Sequence, residues 1–386
     1  MIETAKRLYS IQEYYFSRKL DEIRRMNAAG KNVINLGIGS PDLAPDERVI
    51  RALEKSVENK NSHGYQSYRS IEELRVAIAE FYRQHFNVIL NPESEILPLL
   101  GSKEGVMYIS LAFLNPGDTV LIPNPGYPAY EAVANMIQAN PVRYDLSQNN
   151  NWAPDLENID PEVVRRAKIM WVNYPNMPTG VDGSKQIFQN LIDFGKRNNI
   201  LICNDNPYSF ILNDVPKSIL EQDENKEYCL ELNSLSKAYN MAGWRVGMVC
   251  GHQDYINAIL KVKSNVDSGM FKPVQEAAIA ALGLSKEWIA KNNLVYKQRK
   301  IVAQELLNTI GCVYDKSQVG MFVWAKNPEG RKSEELVDEI LQKANVFITP
   351  GTIFGTNGEG FVRVSLCSTE EKFRESIDRI KQALIV

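Results

Sequence analysis

The sequence predicts an α/β protein with a mostly parallel sheet and a second, smaller α+β domain. From about residue 95 to 250, short apolar runs rich in β-branched residues alternate with longer helical patterns, as in βαβ units. After about residue 270 the pattern changes to long helices with isolated strand-like runs. A chain of 386 residues, 44% of them apolar, is long enough for a large core and two or three domains.

Four apolar runs are the strongest strand predictions, and a polar loop marked by Gly or Pro follows each of them. They cover residues 119–123, 169–173, 200–204 and 227–232. In an open parallel sheet such loops gather at the carboxyl ends of the strands, where ligands bind. The informative polar and aromatic residues fall in these loops: Tyr127, Asn176, Asp205, Tyr208 and Lys237.

The last third of the chain has the pattern of an α+β domain. The predicted elements are helices over 274–310 and 333–344 and strands over 321–324 and 361–365. A helix-like stretch that ends near residue 29 is expected to pack with them. We therefore predict a large domain over residues 40–270 and a small domain that combines 1–39 with 271–386.

Charge and cysteine content exclude several kinds of partner. The chain has 44 basic and 47 acidic side chains, so its net charge is −3 and it lacks the basic field that nucleic acid or an anionic membrane would require. Five cysteines without a Cys-x-x-Cys pair suit a reducing compartment, and the charged N-terminus is unlike a secretory signal. We predict a cytoplasmic protein that acts on small molecules.

Histidine and metal chemistry are not predicted. The three histidines, His63, His85 and His252, form no pair with metal-ligand spacing. No metal site is therefore expected.

The segment from Ser234 to Gly247 is too polar and too rich in Gly to be core, and it follows a predicted strand. It carries Lys237 and, eight residues later, Arg245. A lysine near other cations can have its pKa lowered, and the neutral amine then forms a Schiff base with an aldehyde. The guanidinium could hold a phosphate with two hydrogen bonds. A charged surface loop is the alternative for these two residues alone.

This segment resembles the cofactor-lysine motif of class I/II aminotransferases, the pyridoxal 5'-phosphate enzymes of fold type I. Six or seven motifs of this family follow in its order along nearly the whole chain. The segments that carry the resemblance are 35–42, 64–75, 100–105, 123–130, 204–208, 234–247 and 360–365. The resemblance implies a mostly parallel seven-stranded sheet in the large domain, and the stretches 101–105 and 265–271 look closest to a subgroup that contains LL-diaminopimelate aminotransferases.

The resemblance also implies the reaction and the residues that perform it. Lys237 would hold the cofactor as a Schiff base and act as acid and base while an amino group moves between an L-amino acid and a 2-oxo acid. Asp205 would keep the pyridine nitrogen protonated, and Tyr208 would hydrogen-bond the ring hydroxyl oxygen. The substrate would contact Gly39, Asn176 and, through its α-carboxylate, Arg363. The other implied cofactor contacts are Ser102, Lys103, Tyr127, Asn176, Ser234, Ser236, Arg245 and, across a homodimer interface, Tyr65.

Two positions depart from the family pattern. Ser70 stands where the family has glycine, and with Glu73 it fits a capping box that would start the next helix. Met177 stands where the family has an asparagine that donates to the ring hydroxyl oxygen, and a thioether cannot donate. With one donor fewer, we predict a raised pKa for the imine between Lys237 and the cofactor, while Asn176 is the nearest residue that could compensate.

Two alternatives remain open at this point. A C–S β-lyase of the same fold would use the same residues, because both reactions start from a carbanion at the α-carbon. A regulator that binds the cofactor without catalysis is the alternative of another class. It is less expected, because no segment of winged-helix size precedes Gly39 and the charge is balanced.

Overall fold

The structure is a computed structural model that describes residues 2–10 and 15–384. The strands are β1 (Ile34–Asn35), β2 (Ile96–Leu99), β3 (Thr119–Asn124), β4 (Asn140–Asp145), β5 (Ala167–Val172), β6 (Leu201–Asp205), β7 (Cys229–Ser234), β8 (Gly247–Gly251), β9 (Val313–Tyr314), β10 (Phe322–Lys326), β11 (Val346–Phe347), β12 (Thr349–Pro350) and β13 (Phe361–Ser365). The α-helices are α1 (Tyr15–Ala28), α2 (Glu47–Glu58), α3 (Glu72–Phe86), α4 (Ser102–Phe113), α5 (Ala129–Met136), α6 (Pro161–Arg166), α7 (Lys185–Asn198), α8 (Leu235–Ala238), α9 (Gln253–Lys263), α10 (Lys272–Leu282), α11 (Lys286–Thr309), α12 (Ser333–Ala344) and α13 (Glu370–Leu384).

A seven-stranded sheet forms the centre of the molecule, in the order β2-β8-β7-β6-β5-β3-β4. Strand β8 runs antiparallel to both of its neighbours, and the other pairs are parallel. Every residue of β3 and β7 is buried, because helices cover both faces of the sheet. The predicted α/β class with a mostly parallel seven-stranded sheet is confirmed.

The four strands predicted from apolar runs are the parallel core of this sheet. Three of them, β3, β5 and β6, lie within two residues of the predicted bounds, and β7 begins two residues later than predicted. The other three strands of the sheet, β2, β8 and the edge strand β4, are not among these four runs. Three of the six residues of β4 are exposed and only one is buried, so its sequence lacks the continuous apolar run that marks a buried strand.

A second, antiparallel sheet of four strands lies in the C-terminal part, in the order β12-β13-β10-β9. Strand β1 pairs in parallel with β11, and Lys19 of α1 forms an ion pair of 3.2 Å with Asp338 of α12. Segments from the two ends of the chain therefore contact each other. The predicted domain boundaries at residues 39 and 270 stay predictions.

Two local predictions are wrong. The single helix predicted over 274–310 is interrupted at Gly283–Ser285, because glycine disfavours helix and the chain turns there to bury Leu284. The capping box of Ser70 and Glu73 does not form, since Ser70 has a left-handed φ of 65° and helix α3 begins at Glu72 without a side-chain cap. The Nα–H of Ile71 instead donates to Gln275 Oε1 at 2.8 Å.

The described residues include no helix that is both long and apolar enough to cross a membrane.

Candidate active site

A cavity of about 520 Å³ opens where the parallel strands end and the C-terminal sheet faces them. Eleven of the thirteen residues predicted for the site line it: Gly39, Ser102, Lys103, Tyr127, Asp205, Tyr208, Ser234, Ser236, Lys237, Arg245 and Arg363. Residues that are far apart in the sequence meet here because βα loops gather at one edge of a parallel sheet.

Lys237 lies on the short helix α8, directly after strand β7. Its Nζ donates a hydrogen bond of 2.5 Å to the carbonyl oxygen of Gly39. Burial lowers the pKa of Lys237, and the positive charges of Arg363 and Arg245 lower it further. The negative charge of a Cys367 thiolate would oppose this shift, and the net effect is a pKa below that of a free lysine.

Asp205 is the last residue of β6, and it is buried at the floor of the cavity. Its Oδ2 accepts a hydrogen bond of 3.1 Å from Tyr130 Oη, whereas its buried Oδ1 has no hydrogen-bond partner among the described residues. Burial raises the pKa of Asp205 to about 7. A buried acceptor without a donor calls for a donor from a bound molecule, and a protonated ring nitrogen would satisfy it.

The opposite end of the cavity collects donors at the start of helix α4. Ser102 is the first residue of that helix, whose free N–H groups and dipole favour an anion. Ser234 Oγ donates to Ser236 Oγ at 2.9 Å, and Arg245 Nη1 contacts Ser236 Oγ at 3.4 Å. Gly101 leaves room for the guanidinium, since a Cβ at this position would lie 2.1 Å from Arg245 Nη2. This set of donors suits a phosphate.

Arg363 projects from strand β13 and is 3% exposed. Its Nη2 donates to the carbonyl oxygen of Gly37 at 2.8 Å, and its Nη1 contacts Met177 Sδ at 3.2 Å. The rings of Phe322 and Phe354 lie 3.9 and 4.6 Å from its Cζ. These contacts hold the planar guanidinium in one orientation in the cavity wall, where it can take a carboxylate.

Aromatic side chains flank the space between Asp205 and the serines. Tyr127 meets Tyr130 edge to face, with ring centroids 5.5 Å apart, and Tyr130 stacks on Trp171 at 5.1 Å. Tyr208 contacts Phe322 edge to face at 5.7 Å. Packed rings of this kind can fix the plane of a flat ligand.

Two predicted site residues lie outside the cavity lining. Asn176 is buried in a turn, where its Nδ2 donates to the carbonyl oxygen of Asn173 and its Oδ1 accepts from Thr179. Its amide is used within the turn, so this placement does not support the contacts predicted for it. Tyr65 is 93% exposed on a loop, and its predicted role requires a second subunit.

The prediction assigned no role to Asn173 and Tyr130, which the structure places at Asp205. Asn173 lines the cavity, and its Nδ2 donates to the carbonyl oxygen of Asp205 at 2.5 Å. Tyr130 belongs to segment 123–130, which carries the family resemblance, so its signal was in the sequence, whereas Asn173 opens the stretch in which Met177 departs from the family pattern. Phe354 lies in the stretch 350–355, which resembles a Pro-Gly-x-x-Phe-Gly loop of the family. Phe322 had no such signal, because an apolar strand residue is usually core.

Comparisons with known proteins agree with this geometry. The model of the family "Aminotransferase class I and II" matches residues 31–380. The LL-diaminopimelate aminotransferase of Aquifex aeolicus is 40% identical over 99% of both chains, and that of Halothermothrix orenii is 36% identical over 99% of both. A solved structure of substrate-bound BacF from Bacillus subtilis is 35% identical, covers 99% of this chain and 98% of its own, and has a TM-score of 0.94.

Proposed function

The chain belongs to the class I and II aminotransferase family, and on that premise we propose how its residues carry out amino transfer. It is a pyridoxal 5'-phosphate-dependent enzyme that moves an amino group between an amino acid and a 2-oxo acid. The observation that carries the proposal is the meeting of Lys237, Asp205, Arg245 and Arg363 in one cavity.

The cavity fits the cofactor. Ser102, Ser234, Ser236 and Arg245 would hold its phosphate, with the backbone of Lys103 at the helix start, and Tyr127 would stack on its ring. Asp205 Oδ1 would accept from the ring nitrogen. The bound cofactor supplies an aldehyde that condenses with amines and a cationic ring that withdraws electrons from the α-carbon of the amino acid.

Lys237 would both hold the cofactor and move the proton. Its Nζ would be the group that accepts the proton from the substrate α-carbon, and burial and two nearby arginines lower its pKa, which favours this role. Arg363 would bind the α-carboxylate with two hydrogen bonds and so orient the α-hydrogen toward Nζ. Tyr208 would donate a hydrogen bond to the ring hydroxyl oxygen of the cofactor.

We also propose a homodimer in the cytoplasm. The exposed Tyr65 would complete the phosphate site of the neighbouring subunit, as the family resemblance implies. The five cysteines are free thiols, which supports a reducing compartment.

The test is the variant Lys237→Ala, with the exposed Lys168→Ala as the matched control. We expect Lys237→Ala to lose both the visible absorption of the bound cofactor and amino transfer, whereas Lys168→Ala keeps both. Retained turnover in Lys237→Ala would refute the assignment. Pyruvate and ammonia formed without a keto-acid acceptor would instead favour β-elimination by the same residues.

A further inference from the structure

The cofactor would contact only part of the cavity wall, and the remaining wall is mostly apolar. It includes Leu20 of α1, Ile38, Met177, Phe322 and Phe354. Leu20 is 39% exposed although it is a large apolar side chain on the wall of a cavity. An apolar wall that faces a binding cavity gains free energy when an apolar group covers it.

The position of Ile38 relates this wall to the substrate. The carbonyl oxygen of Gly37 accepts from Arg363, and that of Gly39 accepts from Lys237 Nζ. A substrate whose carboxylate is on Arg363 and whose α-hydrogen faces Lys237 has its α-carbon between these two groups. Ile38 is the residue between the two carbonyls, and it lines the same cavity. The substrate side chain therefore leaves the α-carbon beside Ile38.

The charges of the wall argue against a cationic side chain. Among the described residues that line the cavity, four are cationic, namely Lys103, Lys237, Arg245 and Arg363, and the one carboxylate is Asp205. Asp205 is buried at the floor, where it would face the ring nitrogen of the cofactor. A second ammonium group on the substrate would meet these four cations and no carboxylate other than Asp205, so it would lose hydration without gaining an anionic partner.

We propose that the amino donors of this enzyme are L-amino acids with a large uncharged apolar side chain, aromatic or branched aliphatic, which packs against Ile38 and Leu20. This inference rests on the proposed function and specifies its substrate. It separates this chain from a diaminodicarboxylate specificity, which the names of its curated relatives carry.

Single half-reactions of the holoenzyme test the proposal. Each donor is mixed with enzyme alone, and the conversion of the bound cofactor from its aldehyde to its amine form is followed by absorbance. We expect the rate per donor concentration to be at least about tenfold higher for L-phenylalanine and L-leucine than for L-lysine and LL-diaminopimelate. Faster conversion by either diamino acid overturns the substrate class but leaves the proposed function standing. Conversion by no donor overturns both.

A pair of variants tests the wall itself. Leu20→Glu places a carboxylate on the apolar wall, and Leu294→Glu makes the same change at an exposed helix position outside the cavity. We expect Leu20→Glu to lower the ratio of phenylalanine to lysine rates by about tenfold and Leu294→Glu to leave it unchanged. An unchanged ratio in Leu20→Glu overturns the role of Leu20.

Equilibrium binding gives a readout without turnover. The pyridoxal-phosphate form should bind 3-phenylpropionate at least about tenfold more tightly than 6-aminohexanoate, since both have a carboxylate for Arg363 and they differ at the far end. Equal affinity or the reverse order overturns the proposal.

Discussion

Asp205, the proposed partner of the cofactor's ring nitrogen, destabilises the protein when the cofactor is not bound. Its carboxylate is buried with one hydrogen bond from Tyr130 and one oxygen without a partner among the described residues. Burial raises its pKa from 3.8 to about 7. The cofactor's ring nitrogen would supply the missing donor. Burying the unpaired carboxylate destabilises the apoprotein, and cofactor binding would remove this destabilisation, which strengthens binding.

This cost gives the variant Asp205→Asn a pH-dependent effect on stability. Because the folded pKa lies above the unfolded pKa, the folded state holds its proton longer, and stability falls as pH rises from about 4 to about 7. The full loss is up to about 4 kcal/mol. We expect the difference in Tm, apo Asp205→Asn minus wild-type apoprotein, to be larger at pH 8 than at pH 5. An equal difference in Tm at pH 5 and pH 8 would contradict this explanation. The variant should also bind the cofactor less tightly.

Met177 is the second residue with a distinct consequence. It lines the cavity where its Sδ contacts Arg363, and it offers no donor to the cofactor's ring oxygen. Met177→Asn should lower the pH midpoint of the cofactor's absorbance change, because an amide donor would stabilise the deprotonated imine through the ring oxygen. Met177→Leu, which has similar volume and no donor, should leave the midpoint unchanged. The prediction is wrong if Met177→Asn titrates as the wild type does.

At the scale of single residues, the sequence motifs predict which residues belong to the site better than they predict the contacts of these residues. The lysine, the acid and both arginines follow from residue types at the spacing of the family's motifs, and all four line one cavity. Asn176 and Asn173 show the limit, since both are asparagines of one turn and only the fold decides which side chain faces inward. The stabilisation of Arg363 by Phe322 and Phe354 depends on packing between distant segments, which local sequence does not encode.

Among the elements, helix α4 and the segment that carries Arg245 meet at the proposed phosphate site. Gly101, which precedes the helix, has a φ of 93° and lies against the guanidinium of Arg245. Because Gly101 has no side chain, the guanidinium can lie close to the helix start. The guanidinium and the free N–H groups there can then donate to the same anion. The two elements are therefore coupled through a single glycine.

The variant Gly101→Ala tests this coupling, with Gly117→Ala as its control. Both glycines have a left-handed φ, 93° and 85°, but a Cβ on Gly117 would meet no atom within 4 Å. Gly117→Ala should lose about 1 kcal/mol of stability from backbone strain, and Gly101→Ala should lose more, because its Cβ would also overlap Arg245. Only Gly101→Ala should also weaken cofactor binding, by roughly tenfold, because it displaces Arg245. Similar cofactor affinities in the two variants, measured by fluorescence titration, would contradict the coupling.

The elements themselves divide into those that the sequence predicts and those that depend on context. Buried strands such as β3 and β6 are continuous apolar runs and were predicted within two residues. Helix α12 has the predicted bounds. The start of α3 was predicted wrongly, because a serine in the left-handed region satisfies the backbone requirement for which the family uses glycine. The backbone N–H of Ile71, directly before α3, donates instead to Gln275, which is distant in sequence.

At the scale of the whole molecule, the proposed dimer makes each site a product of two subunits. Lys237→Ala and Tyr65→Ala should each be impaired alone. In a mixed dimer, the subunit with Tyr65→Ala keeps Lys237 and receives an intact Tyr65 from its partner, so one site of two is complete. Refolding an equal mixture should therefore recover activity above that of either variant. A mixture whose activity is only the average of the two variants would exclude the cross-subunit role.

The central claim is that Lys237 is the amine that holds pyridoxal 5'-phosphate in this cavity. Reduction of the holoenzyme with borohydride, followed by peptide mass mapping, measures this directly because it fixes the cofactor to its lysine. The account predicts one phosphopyridoxyl group per chain, on the peptide that contains Lys237. A label on another lysine, such as Lys103 in the same cavity, or no label in a protein that still transfers amino groups, would contradict it.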